Sequence, residues 1–254
     1  MNCAAASLLA LVTCLGDPDP SVRDKIAFER LSAMLRGGDV DTATLATLNR
    51  QLQAEVAADD PQGFRRPFVI LALAEVARTD RIKPWMDDRD RRQLVGVAAG
   101  YLSTLTDYRA FDDKQGFRHG VAHGADLAMQ LALNAAVDKP QLDRLLEAIR
   151  VQATPRDASI AYWAGEPDRL ARALLFIAQR KLHSEAEWKA WFEALMNPKP
   201  LPAWNTAFSS EAGIRKRHNA RAFLLSVFAT ASTAEDAGIK LLLTPARDAL
   251  KLVP

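Results

Sequence analysis

Apolar positions recur every three to four residues along almost the whole chain, and alternating β-branched runs do not occur. This pattern predicts helices and hardly any strand. Residues 5–15 read as a first helix. The turn Gly16-Asp17-Pro18-Asp19-Pro20 leads to Ser21, the expected cap of a helix reaching about Arg36. Val22, Ile26, Leu31 and Leu35 line one side of it, and Gly37-Gly38 ends it. A third helix is expected from about Asp41 to Ala58, before the break Asp59-Asp60-Pro61-Gln62-Gly63. Pro67 suits a first helical turn, and the run PFVILALAEVA is apolar on every side except at Glu75. That is the mark of a fully packed helix.

A helix over about 88–106 turns Leu94, Val95, Ala98, Tyr101, Leu102 and Leu105 inward, and Asp107 to Gln115 reads as a polar loop. Further helices are expected from Pro140 to about Gln152, from Pro167 through LARALLFIA, and over about 211–232 and 234–250. Pro155 to Gly165 reads as irregular, and Asn197 to Pro202 as a proline-rich connection. Ser184-Glu185-Ala186-Glu187 is a capping box. The Trp188, Trp191, Phe192 and Leu195 stripe that follows it reads as core packing.

The chain is organised around GFRHGVAHGADLAMQLALN, from Gly116 to Asn134. At 100° per residue, His119, His123, Asp126 and Gln130 fall within an arc of about 60° on a helix. The rest of that circumference is apolar, so the helix is expected to bury its back and flanks and aim one polar stripe at something. His119 and His123 stand at the i, i+4 spacing by which two imidazoles share a metal, with Asp126 as a third ligand or an orienting group. The residues between them are Gly120-Val121-Ala122, so the glutamate base of His-Glu-x-x-His metalloproteases is missing. Glu166 stands where a carboxylate favours the positive end of a helix, and Arg169 and Arg172 share a face that suits an anion. Arg66 reads as an anion hook or as a partner for Asp24. No Gly-x-Ser-x-Gly elbow, P-loop or dinucleotide fingerprint is present.

These elements predict an all-α fold, a single domain over 1–254. The expected form is an irregular α-α superhelix of about ten helices, with a compact multi-helix bundle as the alternative. Asp19-Pro20-Ser21-Val22-Arg23-Asp24, with Ala27 and Leu31, resembles a HEAT repeat, but no clean period recurs along the chain.

A wider set of stretches stands out: Val22-Arg23-Asp24, Arg65-Arg66-Pro67-Phe68, Asp107-Tyr108-Arg109, Gly116-Phe117-Arg118-His119 and Ala122-His123-Gly124-Ala125-Asp126-Leu127. Glu166-Pro167-Asp168-Arg169-Leu170 and His218-Asn219-Ala220-Arg221-Ala222-Phe223-Leu224 complete it. Together they resemble a bacterial family, domain of unknown function 2785. The likeness covers about residues 8 to 232, and the His-x-x-x-His-x-x-Asp stretch is its most specific piece. Phe117 fills the place of the aromatic residue that the family carries two positions before its first histidine. The resemblance implies an all-helical fold and no established activity.

Charge and cysteines narrow the picture further. A net charge of +2, with Arg215-Lys216-Arg217-His218 as the densest basic run, argues against a nucleic-acid partner. No run approaches the roughly 20 apolar residues of a spanning helix, so no membrane partner is expected. Met1 to Gly16 lacks the basic start of a secretory signal. A cytoplasmic location is therefore the default, with export from a longer precursor as the alternative. On one helix, Cys3 and Cys14 would lie about 16 Å apart, which excludes a disulfide and leaves two small buried hydrophobes.

The function expected is a non-enzymatic helical-repeat binding or scaffold module without a cofactor. Its concave pocket of His119, His123, Asp126, Glu166 and Arg169, with Arg66 as a further contact, takes a protein segment or a small anionic ligand. The alternative is a metal-dependent hydrolase, in which His119, His123 and Asp126 hold one divalent ion such as zinc and Glu166 acts as base.

Overall fold

In the structure, a computed structural model, several helices start where a side chain accepts the first free amides, but Ser21, expected as a cap, lies inside its helix, and Pro20 stands at the N-cap without a side-chain bond. The structure describes residues 3–155, 157 and 159–254. Their contacts gather into two compact units, the first running to Val137 and the second from Asp138 to Pro254.

The first unit holds α1 (Leu8–Leu11), α2 (Glu29–Gly37), α3 (Thr42–Val56), α4 (Arg65–Ile82), α5 (Asp88–Thr104) and α6 (Gly120–Ala132). A wide π-helical stretch, Ser21–Phe28, runs into α2. Asp41 caps α3 by accepting from Thr44 N, and Asp87 caps α5 by accepting from Asp90 N. α4 is the centre of the unit and packs on α2, α3 and α6. Val69, Ile70, Ala72, Leu73 and Val76 on it are wholly buried, as its all-round apolar pattern predicts. Glu75, its one charge at mid-helix, is met by Arg36 Nε at 2.9 Å.

Where α4 ends, Asp80 is 1% exposed and gathers a dense set of donors. It accepts from the amides of Trp85 and Met86 at 2.9 and 2.7 Å, from Arg91 Nε at 2.7 Å and from Asn134 Nδ2 at 2.7 Å. One carboxylate thereby joins the end of α4, the following turn, α5 and the residues after α6.

The second unit holds α7 (Lys139–Ala153), α8 (Glu166–Gln179), α9 (Glu185–Leu195), α10 (Glu211–Thr233), α11 (Ala237–Lys240) and α12 (Leu243–Leu252). The expected capping box forms: Ser184 N donates to Glu187 Oε2 at 2.8 Å, and Glu187 N donates to Ser184 Oγ at 3.3 Å. Trp188, Phe192 and Leu195 are buried, which makes that stripe core. Among the described residues, helix is broken only by turns and one two-stranded ribbon, so the fold is all-α. Among them, no helix is long and apolar enough to cross a membrane.

Four expectations are corrected. Residues 5–15 are not one helix: the chain breaks at Ala6-Ser7, between a 3-10 turn at Cys3–Ala5 and the run of α1 into a second 3-10 turn at Val12–Gly16. Cys3 and Cys14 therefore come to a Cα separation of 6.3 Å and form a disulfide, which a continuous helix would forbid. The expected loop before the central helix contains a ribbon, β1 (Phe111–Asp112) paired antiparallel with β2 (Gly116–Phe117). The central helix itself starts at Gly120 rather than at the first histidine.

Candidate functional site

Entry into α6 is set by the ribbon. Asp112 Oδ1 accepts from the amides of Lys114 and Gln115, both at 2.9 Å, closing a turn in which Gly116 takes a φ of +72°. Pairing continues past the ribbon, with Arg118 N donating to Ala110 O at 2.8 Å and His119 N to Arg109 O at 3.2 Å. To leave this ladder and start a helix, the chain turns at His119, whose φ of +55° is left-handed. Such a conformation costs a non-glycine residue about 1–3 kcal/mol. His119 O still takes the first helical hydrogen bond, from His123 N at 3.0 Å. The i, i+4 pair thus straddles the helix boundary instead of lying on one continuous turn.

Aromatic rings form a row from the ribbon into the core. Centroid separations are 4.8 Å for Phe111–Phe117, 5.2 Å for the stacked Phe117–His119 pair and 5.8 Å for His119–His123. The row continues through His123–Phe68 at 5.1 Å and Phe68–Phe28 at 6.3 Å. Its outer members, Phe111 and Phe117, are 42% and 41% exposed, whereas His119 and His123 are 9% and 7% exposed. His123 Nδ1 lies 3.2 Å from Pro67 O. A carbonyl only accepts, so Nδ1 carries the proton and donates, leaving Nε2 as the basic nitrogen.

Two buried guanidinium groups brace this row. Arg23 Cζ stands 4.4 Å from the Phe64 centroid and 4.8 Å from that of Phe68, and Arg118 Cζ stands 3.9 Å from Phe64. Arg23 meets Asp24 at 2.7 Å and donates to Gln115 O at 2.8 Å, while Arg118 donates to Gln62 O at 2.9 Å and Gln115 Oε1 at 3.0 Å. Burial, with the charges of Arg109 and Arg23, pushes the Arg118 guanidinium below its ordinary value. Burial likewise raises the Asp24 carboxyl, despite the neighbouring Arg23. The π-helical stretch, the ribbon and the start of α4 are in this way tied around Phe64.

The residues singled out from the sequence divide into three places. His119 and His123 come together. Asp126 lies half-buried three residues along α6 from His123, and Gln130 Oε1 accepts from Arg81 Nε of α4 at 3.1 Å. With His123 on Pro67 and Gln130 on Arg81, much of the stripe is turned toward α4. Arg66 is exposed at the start of α4 and donates to Ala58 O at 3.0 Å, and Asp24, its expected partner, is taken by Arg23. Arg66 lines a cavity of about 100 Å³ with Asp60, Pro67, Tyr101 and Asp107. Burial pushes the Tyr101 phenol well above its usual range. Burial also pushes Asp107 up, but hydrogen bonds from Arg109 outweigh it and hold that carboxyl low. Neither histidine is in the cavity wall.

Glu166 and Arg169 belong to the second unit. Glu166 opens α8 behind Gly165, is 3% exposed and accepts from Ala164 N at 2.9 Å; Arg169 is half-buried on the same first turn. Among the described residues, His119, His123 and Asp126 included, no three His, Cys, Asp or Glu side chains are grouped as a metal ion requires. Sequence reading missed Phe111, the fixed pairing of which with Phe117 depends on a ribbon too short to leave a periodic signal.

A family model described as "Protein of unknown function (DUF2785)" matches residues 51–228. No curated protein and no solved structure matches the chain.

Proposed function

The chain belongs to the DUF2785 family of proteins of unknown function, and we propose that it is a binding or scaffold module that holds a segment of another protein against the first unit. The observation that carries this reading is the left-handed, buried His119. Strain of that kind persists where the surroundings over-determine it, and it clusters at functional positions. Here it seats the imidazole against Phe117 and so fixes two exposed phenyl rings at the end of an otherwise buried row. Rigid aromatic side chains are effective anchors because little conformational freedom remains to be lost on binding. The partner is a protein segment with an apolar side chain to cover Phe111 and Phe117.

A photo-crosslinking residue placed at Phe111 is expected to give a discrete protein adduct in cells, lost when Phe117→Ser is added. The same residue at exposed Leu182 should give none. Equal labelling at both positions would overturn the reading. The hydrolase alternative, with His119 and His123 as ligands, predicts near-stoichiometric metal in the purified protein, lost in His119→Ala. The binding reading predicts none by elemental analysis.

The HEAT-like character of Asp19 to Leu31 belongs to the same proposal, although packing centred on α4 supports the bundle alternative within the first unit. The Cys3–Cys14 bridge supports export over the cytoplasmic default, because disulfides persist in oxidising compartments.

A further inference from the structure

The basic run Arg215-Lys216-Arg217-His218 reads in sequence as a solvated helix face, but one member of it is buried. Lys216, on the second turn of α10, is only 8% exposed. Its Nζ stands 5.6 Å from the centroid of Trp204, whose own Nε1 donates to Met196 O at 2.8 Å. Among the described residues, the Lys216 ammonium makes no hydrogen bond and no ion pair.

Two polar side chains share a smaller adjoining cavity with Lys216, and neither is hydrogen-bonded to it. Asp157 binds Ser159 through its amide at 2.8 Å and its hydroxyl at 2.7 Å. Asn219 accepts from Tyr162 N and donates to Ile160 O, both at 2.9 Å. An ammonium with so little access to water is destabilised unless something compensates it. Burial accordingly pushes the Lys216 pKa below the ordinary lysine value.

Lys216 also lines a cavity of about 900 Å³ in the second unit, within the size range of small-molecule sites. Val151, Pro155, Leu195 and Leu201 supply apolar wall, and Arg150 and Lys199 supply the other charges. Among the described residues, no carboxylate lines it. Arg150 is already neutralised by Glu147, with Nε to Oε2 at 2.8 Å, and Lys199 is exposed. One buried positive charge without a partner therefore faces a groove whose wall is partly apolar, with Lys199 exposed to solvent at its edge.

We propose that this groove binds a small organic acid, a monocarboxylate with an apolar body, whose carboxylate pairs with Lys216 and whose body lies against Val151, Leu195 and Leu201. A singly charged head group matches the one buried ammonium. A phosphate ester, with three acceptor oxygens and nearly two charges, would leave most of its acceptors unmet.

Calorimetric titration of the full chain tests this with decanoate, decanamide and inorganic phosphate as probes. Saturable one-to-one binding of decanoate is expected, at least tenfold weaker for decanamide and for decanoate with Lys216→Met. Removing a buried unpaired charge should leave Lys216→Met folded and no less heat-stable than the parent. Leu201→Trp, which fills the groove and keeps the ammonium, should also lose decanoate. The proposal is overturned if decanoate does not saturate, if Lys216→Met binds it as tightly as the parent, or if inorganic phosphate binds tighter and displaces it.

Discussion

His119 carries an unusual prediction because its backbone and its ring ask for different things. A left-handed φ of +55° suits glycine and strains alanine, by roughly 1–2 kcal/mol at a single residue. Both substitutions remove the ring stacked on Phe117, so His119→Gly is expected to be more stable than His119→Ala by about 1 kcal/mol in urea unfolding. In a regular helical turn the order reverses, since glycine there is the poorer residue by about that amount. The stripe itself was legible: His123 and Gln130 do share one side of α6. What the 3.6-residue period could not reveal is that His119 stands just before the helix, because the hydrogen bond from His123 N to His119 O satisfies the same spacing from either conformation. Lys216 was illegible for a related reason: one cation within a basic run looks solvated until its neighbours are known.

At the scale of elements, two contacts decide how α6 is held. A Cβ on Gly124 would stand 2.5 Å from Leu102 Cδ2, 2.9 Å from Leu102 Cγ and 3.1 Å from Tyr101 Cδ1, both residues buried on α5. Gly124→Ala is therefore expected to destabilise by about 1–3 kcal/mol in chemical denaturation, against the intrinsic helical preference for alanine. The second contact is Asp80. Burial pushes its carboxyl up, but Arg91, the Trp85 and Met86 amides and Asn134 outweigh it and hold it below the ordinary 3.8. A depressed folded pKa means the contribution is complete above about pH 4 and is lost as pH falls through the lower, folded value. Asp80→Asn is expected to cost about 3 kcal/mol at neutral pH by leaving buried Arg91 with only the exposed Asp88, 3.2 Å from its Nη1, as a carboxylate partner. The variant should also show a shallower loss of stability below pH 4, measured by thermal melts across an acid series. α4 and the Ser184 capping box were plain in the sequence because each rests on neighbours within one or two turns, whereas Ser21 reads as a cap although the helix starts one residue earlier than that implies, directly after Pro20. The ribbon was not legible, since two residues per strand leave no alternation to read.

For the molecule as a whole, Cys3 and Cys14 account for its entire cysteine content. The protein unfolded without reductant should take up no maleimide, and reduction should release two thiols. Closing so short a loop contributes about 2–3 kcal/mol, so the midpoint in urea should fall when reductant is present. A single rod over residues 5–15 would keep the two cysteines apart; the bridge forms because the chain breaks at Ala6-Ser7, and apolar periodicity alone carries no sign of that break.

The burial of α4 also bears on how the protein is made. Its circumference is covered partly by α2 and α3, which precede it, and partly by α6, which begins about 40 residues after α4 ends. At roughly 5–20 residues per second, a ribosome takes on the order of 2–8 s to supply that missing wall. For those seconds the greasiest surface of the nascent polypeptide stands open to whatever chaperone waits at the exit tunnel.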